Sequence, residues 1–124
     1  MIIQKLSSSK INDLKRTAGT VYYKNKKITH VLFTGIVIET RQRVIKIVDY
    51  EGTVEIYKSR SENKFLGSYT FLCTIFGAGN SILFYCVKIR KITFLEELYS
   101  WIEIEELKKY EALEDKIDNN LHSE

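Results

Sequence analysis

The chain has 124 residues, 44% of them hydrophobic and 28% charged, which fits one globular domain over 1–124 and excludes a multidomain enzyme. No apolar run approaches the roughly 20 residues of a membrane span, and proline is absent. The net charge of +3 conceals a division: residues 1–91 carry 16 Lys and Arg against 6 Asp and Glu, whereas residues 92–124 carry 3 Lys against 10 acids.

The start, Met1 to Ser9, lacks the continuous apolar core of about 7 to 15 residues that a secretory signal needs, and Lys5 interrupts it; this predicts a cytoplasmic protein. Ser7 to Arg16 reads as a short N-terminal helix, with Ser9 its cap, Ile11 and Leu14 on one face, and an end near Gly19. From Thr20 the residues turn β-branched and aromatic. Strands are expected over Thr20–Lys24, Ile28–Thr40, Val44–Asp49 and Thr53–Lys58, with Asn25-Lys26-Lys27 as a basic turn and Arg41-Gln42 as a tight connection. The short gaps hold no crossover helix, so antiparallel hairpins are the natural topology.

Lys58 to Gly67 is polar, cationic and without period, and is expected to be the longest exposed loop. Two apolar strands follow, Ser68–Phe76 and Ser81–Ile92, joined by Gly77-Ala78-Gly79-Asn80, whose glycines permit a tight reversal. Ile82 to Val87 shows no strict alternation and is expected to be central and covered on both sides. Thr93 and Glu96 have the spacing of a capping box. A second such pair, Ser100 and Glu103, favours two consecutive helices with a bend near Ser100 over one straight helix.

The fold class predicted is α+β: an antiparallel five- to six-stranded bent sheet or small open barrel, with a short N-terminal helix and one or two C-terminal helices. The basic body spans 1–92, the acidic helical segment 93–118 and a frayed tail 119–124. Apolar residues on both strand faces point to a homo-oligomer, in which the acidic helix of one subunit would lie on the basic sheet of its neighbour.

No constellation for catalysis has the required spacing, so no catalytic residue, metal ligand or cofactor is assigned. Cys73 and Cys86 sit in adjacent strands and are expected as buried free thiols. Neither His30 nor His122 has a partner at zinc-like spacing. Glu55 and Lys58 are three apart and face opposite sides of a strand, whereas a metal-dependent nuclease needs its second acid and lysine on one side.

Binding fits better than reaction. Cations interleave with aromatics at Tyr22, Tyr23, Lys24, Lys26 and Lys27, at Tyr57, Lys58, Arg60, Lys64 and Phe65, and at Lys88, Arg90 and Lys91. That combination suits phosphate neutralisation with base stacking. Strand alternation would put Lys88 and Arg90 on one face with Cys86, and Lys91 opposite. The expected ligand-binding residues are Tyr57, Lys58, Arg60, Lys64, Phe65, Lys88 and Arg90. The expected function is non-catalytic binding of a phosphate ligand, either a signalling nucleotide held in sequestration or single-stranded nucleic acid. The A/T-rich character of 14 Lys and 16 Ile suggests a phage or mobile-element accessory or anti-defence protein. Two other classes are a protein-interaction inhibitor acting through the acidic helix and a small metal-dependent nuclease.

Overall fold

The computed structural model describes residues 1–59 and 64–122, with backbone alone at 78 and 118–122. Its elements are β1 (Ile3–Lys5), a 3-10 helix (Ser8–Asp13), β2 (Leu14–Thr17), β3 (Thr20–Tyr23), β4 (Lys26–Ile28), β5 (His30–Arg41), β6 (Val44–Val48), β7 (Thr53–Tyr57), β8 (Ser68–Ala78), β9 (Ser81–Ile92) and α1 (Phe94–His122). Six strands form a mixed sheet in the order β1-β5-β6-β7-β9-β8, and β8 also pairs with β5. That second pairing closes β5 to β9 into a barrel. β2, β3 and β4 make a separate three-stranded sheet.

The interior follows from alternation. Val31 and Phe33 of β5, Ile45 and Ile47 of β6, Val54 and Ile56 of β7, Phe71 and Cys73 of β8, and Phe84 and Cys86 of β9 are all buried. Leu14, Val21, Tyr23 and Ile28 of the small sheet join the same core. Phe33 and Phe84 meet edge to face at 5.0 Å across it. Cys73 and Cys86 are register partners, both buried and not joined by a disulfide; the hydrogen bond between them, with burial, pushes the Cys73 thiol up.

The expected antiparallel sheet is corrected at two places. β1 runs parallel to β5, and β7 runs parallel to β9 through the pair Tyr57↔Tyr85. The connection from β7 to β8 is long enough to carry the chain across the barrel, so β8 pairs with β5 and leaves β7 beside β9 in the same direction.

The N-terminal helix is also corrected. Only Ser8–Asp13 is helical, in 3-10 form, and Leu14–Thr17 is a strand antiparallel to β3. A helix this short is marginal by itself. Asp49 binds the backbone N–H and the hydroxyl of Ser8 at 2.6 and 2.7 Å, and Ala18 and Gly19, both at positive φ, turn the chain into a hairpin. The next reversal falls at Lys24 and Asn25, also at positive φ, so Lys26 and Lys27 belong to β4 rather than to a turn.

β9 pairs on both edges but is not covered on both faces. Its ladder to β8 shifts register, pairing Leu72 with Lys88 and Cys73 with Cys86. Val87 is the extra residue of this bulge and is 51% exposed. Cys86 therefore points into the core while Lys88 points out, which corrects the expectation that they share a face.

α1 is one helix, not two. Its capping box forms as the spacing requires: the Glu96 N–H donates to Thr93 Oγ1 at 3.1 Å, and the Thr93 N–H to Glu96 Oε1 at 3.3 Å. Ser100 does not cap a second helix, because its buried hydroxyl donates to Thr34 Oγ1 at 3.1 Å. The helix runs on through His122, into the segment expected to fray. Among the described residues, no helix is long and apolar enough to cross a membrane.

Candidate nucleic-acid interface

α1 lies on its own barrel. Its inward face, Glu97, Ser100, Trp101, Ile104, Lys108 and Glu111, follows helical spacing of three and four. Lys108 pairs with Glu51, and Tyr50 donates to Glu105 at 2.8 Å while its ring packs on Trp101 at 5.4 Å. Burial opposes ionisation of Glu51, but hydrogen bonds from Lys108 and Ser9 hold its carboxyl down to about 2. Further along, Tyr23 donates to Glu111 at 3.0 Å, and Lys24 reaches Glu111 and Asp115 at 3.3 and 3.4 Å. The expectation that this helix rests on a neighbour's sheet gives way to these contacts within one chain.

Glu97 is fully buried where α1 meets β8. Burial pushes its carboxyl up, and among the described residues neither carboxyl oxygen has a hydrogen-bond partner. A raised acid favours the folded state most below the ordinary carboxylate range, and that advantage is lost as pH rises through the raised value. Glu97→Gln, which keeps the shape of the neutral acid, is expected to raise Tm relative to wild type at pH 8, and the difference is expected to vanish near pH 4. Thermal unfolding of both proteins across that range measures it; a constant difference would place the Glu97 carboxylate in an ionised, satisfied state throughout.

The acids of α1 divide the cations of the barrel into two sets. Glu103 pairs with Lys5, Glu96 with Arg90 at 3.4 Å, and Glu111 and Asp115 with Lys24. Cations away from the helix keep none of these acids. On the outer face of β6, β7, β8 and β9 stand Lys46, Tyr57, Phe76 and Tyr85, opposite in alternation to the buried residues of each strand. Tyr57 and Phe76 meet edge to face at 6.1 Å. At the β5–β6 turn Arg41 pairs with Glu55 at 2.7 Å, while Arg43 is exposed.

Past the pair Tyr57↔Tyr85, β7 and β9 part, and a cleft of about 410 Å³ opens. Lys58, Lys64, Phe65, Tyr69, Lys88 and Lys91 line it. Phe65 packs edge to face on Tyr69 at 5.3 Å, with the Lys58 ammonium 5.7 Å from its ring centre. Lys91 is the register partner of Tyr69, as Ile89 is of Phe71. This is the core-facing side of the ladder, and at this end of the barrel it opens onto the loop.

Four of the seven residues expected to bind ligand thus come together: Lys58, Lys64, Phe65 and Lys88. Tyr57 stands one residue before them, on the outer face. Arg90 is turned away to Glu96, in a second cleft of about 500 Å³ beneath the first turns of α1 that also holds Lys5, Lys88 and Glu103. Arg60 lies outside the described residues. Tyr69, Phe76, Tyr85 and Lys46 had no sequence signal beyond their residue types. Among the described residues, no group of three His, Cys, Asp or Glu side chains converges as a metal site.

Several comparisons bear on this architecture. The chain has TM-score 0.70 to a structure of a replication protein A heterotrimer bound to ssDNA, with 14% identity, covering 87% of this chain and 96% of that one. It has TM-score 0.67 to the S. pombe Stn1-ten1 complex, with 12% identity and 93% and 95% coverage. To yeast RPA bound to ssDNA the TM-score is 0.58, with 22% identity and 84% and 87% coverage. What is shared is the fold, a five-stranded barrel of the OB type, to which this chain adds N-terminal strands and a C-terminal helix. In sequence, the chain is 22% identical over 99 residues to the uncharacterized protein ECU03_1140 of Encephalitozoon cuniculi (strain GB-M1), covering 80% of this chain and 85% of that protein. The model of the family described as ECU03_1140 matches residues 31–107, and the chain belongs to that family.

Proposed function

We propose that this protein binds single-stranded nucleic acid across the barrel face turned away from α1. The observation that carries the reading is the division of charge: α1 neutralises Lys5, Lys24 and Arg90 and leaves Arg43, Lys64 and Lys91 exposed on the part of the barrel that carries the aromatics Tyr57, Phe76, Tyr85 and Phe65. Cations that neutralise phosphates, together with rings that stack on bases, are what single-strand recognition needs. OB barrels use the corresponding strands and the loops beside them, and two of the similar structures hold ssDNA. Fluorescence anisotropy with a labelled oligonucleotide at increasing salt tests it. With about three phosphate contacts, the expected slope of log affinity against log salt is about −2; absence of binding at low salt overturns the reading.

Neither a phage accessory role nor sequestration of a signalling nucleotide is part of this reading. For a nuclease, Glu55 and Lys58 do not converge: Glu55 pairs with Arg41, and Lys58 lies over Phe65.

The outer face of α1 supports a second reading, as one subunit of an assembly. Leu95, Tyr99, Ile102, Tyr110, Leu113 and Ile117 form a seam at spacings of three and four, interrupted at Glu106, and are 49–63% exposed. This is the width of a coiled-coil stripe. Residues 94–122 hold nine acids against three lysines, so a second copy would oppose like charges, whereas a helix flanked by Lys and Arg complements them. The chain alone is expected to be monomeric by light scattering and to bind a basic heptad peptide. Leu113→Glu is expected to abolish that binding without lowering Tm. A dimer that forms in high salt and is lost in Leu113→Glu would instead support the homo-oligomer.

A further inference from the structure

We propose that the cleft at the β7–β9 gap recognises a terminal phosphate with the base next to it, carried either by the end of a single strand or by a free nucleotide. The strand arm rests on the function proposed above; the nucleotide arm does not. The first support is charge. Lys64, Lys88 and Lys91 all line one small cleft, none of the described residues that line it is Asp or Glu, and among the described residues no carboxylate pairs with any of the three. Like charges held together in this way favour an anion of more than one charge. An internal phosphodiester carries a single charge, whereas a terminal phosphomonoester carries about −1.5 to −2 at neutral pH, with its second pKa near 6.

Size and shape give the second support. At about 410 Å³ the cleft falls within the range of small-ligand sites, which suits one nucleotide rather than a run of them. Its aromatic element is the Phe65 ring, held on edge by Tyr69, whose hydroxyl accepts a hydrogen bond from the Leu66 N–H at 3.0 Å. One such ring offers a surface for one base.

Position gives the third. Tyr57 faces the outer groove, and Lys58, the next residue, lines the cleft. The cleft itself lies at the end of the barrel, where Lys91 comes from the core-facing side of the β8–β9 ladder and Lys88 from the other, off the line of the outer strands. A strand that crosses Tyr57 and turns in here meets Phe65 and the partly buried Ile89 at the back, which places its terminus at the lysines.

The test uses the full chain and one 15-nucleotide sequence made with a 5′-phosphate, with a 3′-phosphate, or with hydroxyls at both ends. One phosphorylated form is expected to bind at least tenfold more tightly than the hydroxyl form at pH 7.5, with the advantage falling toward one near pH 5 as the monoester loses its second charge. Lys64→Gln combined with Lys91→Gln is expected to remove the advantage, weakening the phosphorylated form at least tenfold more than the hydroxyl form. A nucleoside monophosphate is expected to compete for the advantage and the nucleoside is not. Equal affinity for all three ends overturns the proposal, as does a variant that weakens all three by one factor. If no oligonucleotide binds but the nucleoside monophosphate does, and the variant loses it, the cleft stands and the strand reading falls; if neither binds, both fall.

Discussion

A protein carrying Tyr57→Ala and Phe76→Ala together is expected to bind a single-stranded oligonucleotide about a hundredfold more weakly than wild type. The two rings stand on the outer face of β7 and β8, 6.1 Å apart, with Phe76 38% exposed. A base stacked on an aromatic side chain contributes about 1 to 3 kcal/mol, and each 1.4 kcal/mol is about tenfold in affinity. Because no charge is removed, the salt slope is expected to stay at its wild-type value. Anisotropy titrations at two salt concentrations read both quantities. A loss below threefold with an unchanged slope would place the strand away from these rings and leave only the electrostatic contribution.

Gly35→Val is expected to lower Tm by about 4 to 12 °C. At this point β5 leaves its pairing with β8 and takes up β6: Ile36 is the partner of Ser68 on one side and of Val48 on the other. A Cβ at residue 35 would lie 2.3 Å from the Val48 carbonyl oxygen and 3.1 Å from its carbon. Both are backbone atoms of the neighbouring strand, so no side chain can turn aside to make room. Overpacking of this kind costs about 1 to 3 kcal/mol and sometimes more, and each kcal/mol moves the midpoint of a domain this size by about 4 °C or more. Thermal circular dichroism measures it. A shift under 2 °C would mean that the barrel corner can open without penalty.

Much of the barrel is legible in the chain. β6, β7, β8 and β9 begin where the alternating residues begin, at Val44, Thr53, Ser68 and Ser81, because their hairpins and the long loop are marked by local turn chemistry. The capping box starts α1 after Thr93 for the same reason: both partners lie within four residues of each other. The N-terminal segment is different. Ser7 to Leu14 satisfies a helical pattern locally, yet Asp49, far along the chain, takes the Ser8 amide and hydroxyl, and Tyr23 takes Leu14 as its strand partner.

The binding residues divide in the same way. Lys58, Lys64, Phe65 and Lys88 were identifiable as cations and aromatics flanking a long polar loop, and they do meet in one cleft. Arg90 satisfied the same description, but Glu96, six residues on, claims it once the helix turns back over the sheet. Tyr69, Phe76 and Tyr85 read as ordinary strand aromatics. Only closure of the barrel decides which strand aromatics face solvent, and only the bulge at Val87 decides that Cys86 faces inward and Lys88 outward.

By itself, then, the order of residues determined what depends on neighbours in the chain: strand periods, turns, the helix start, and the separation of a basic body from an acidic segment. Tertiary structure decided what depends on contacts between distant residues. Those are the parallel pairing of β7 with β9, the single unbroken α1 on its own barrel, and the assignment of each cation to an acid of the helix or to the open face. The reason is physical: a charge or a ring has no function until its partners are placed, and the partners here lie up to 98 residues apart, as Lys5 and Glu103 do.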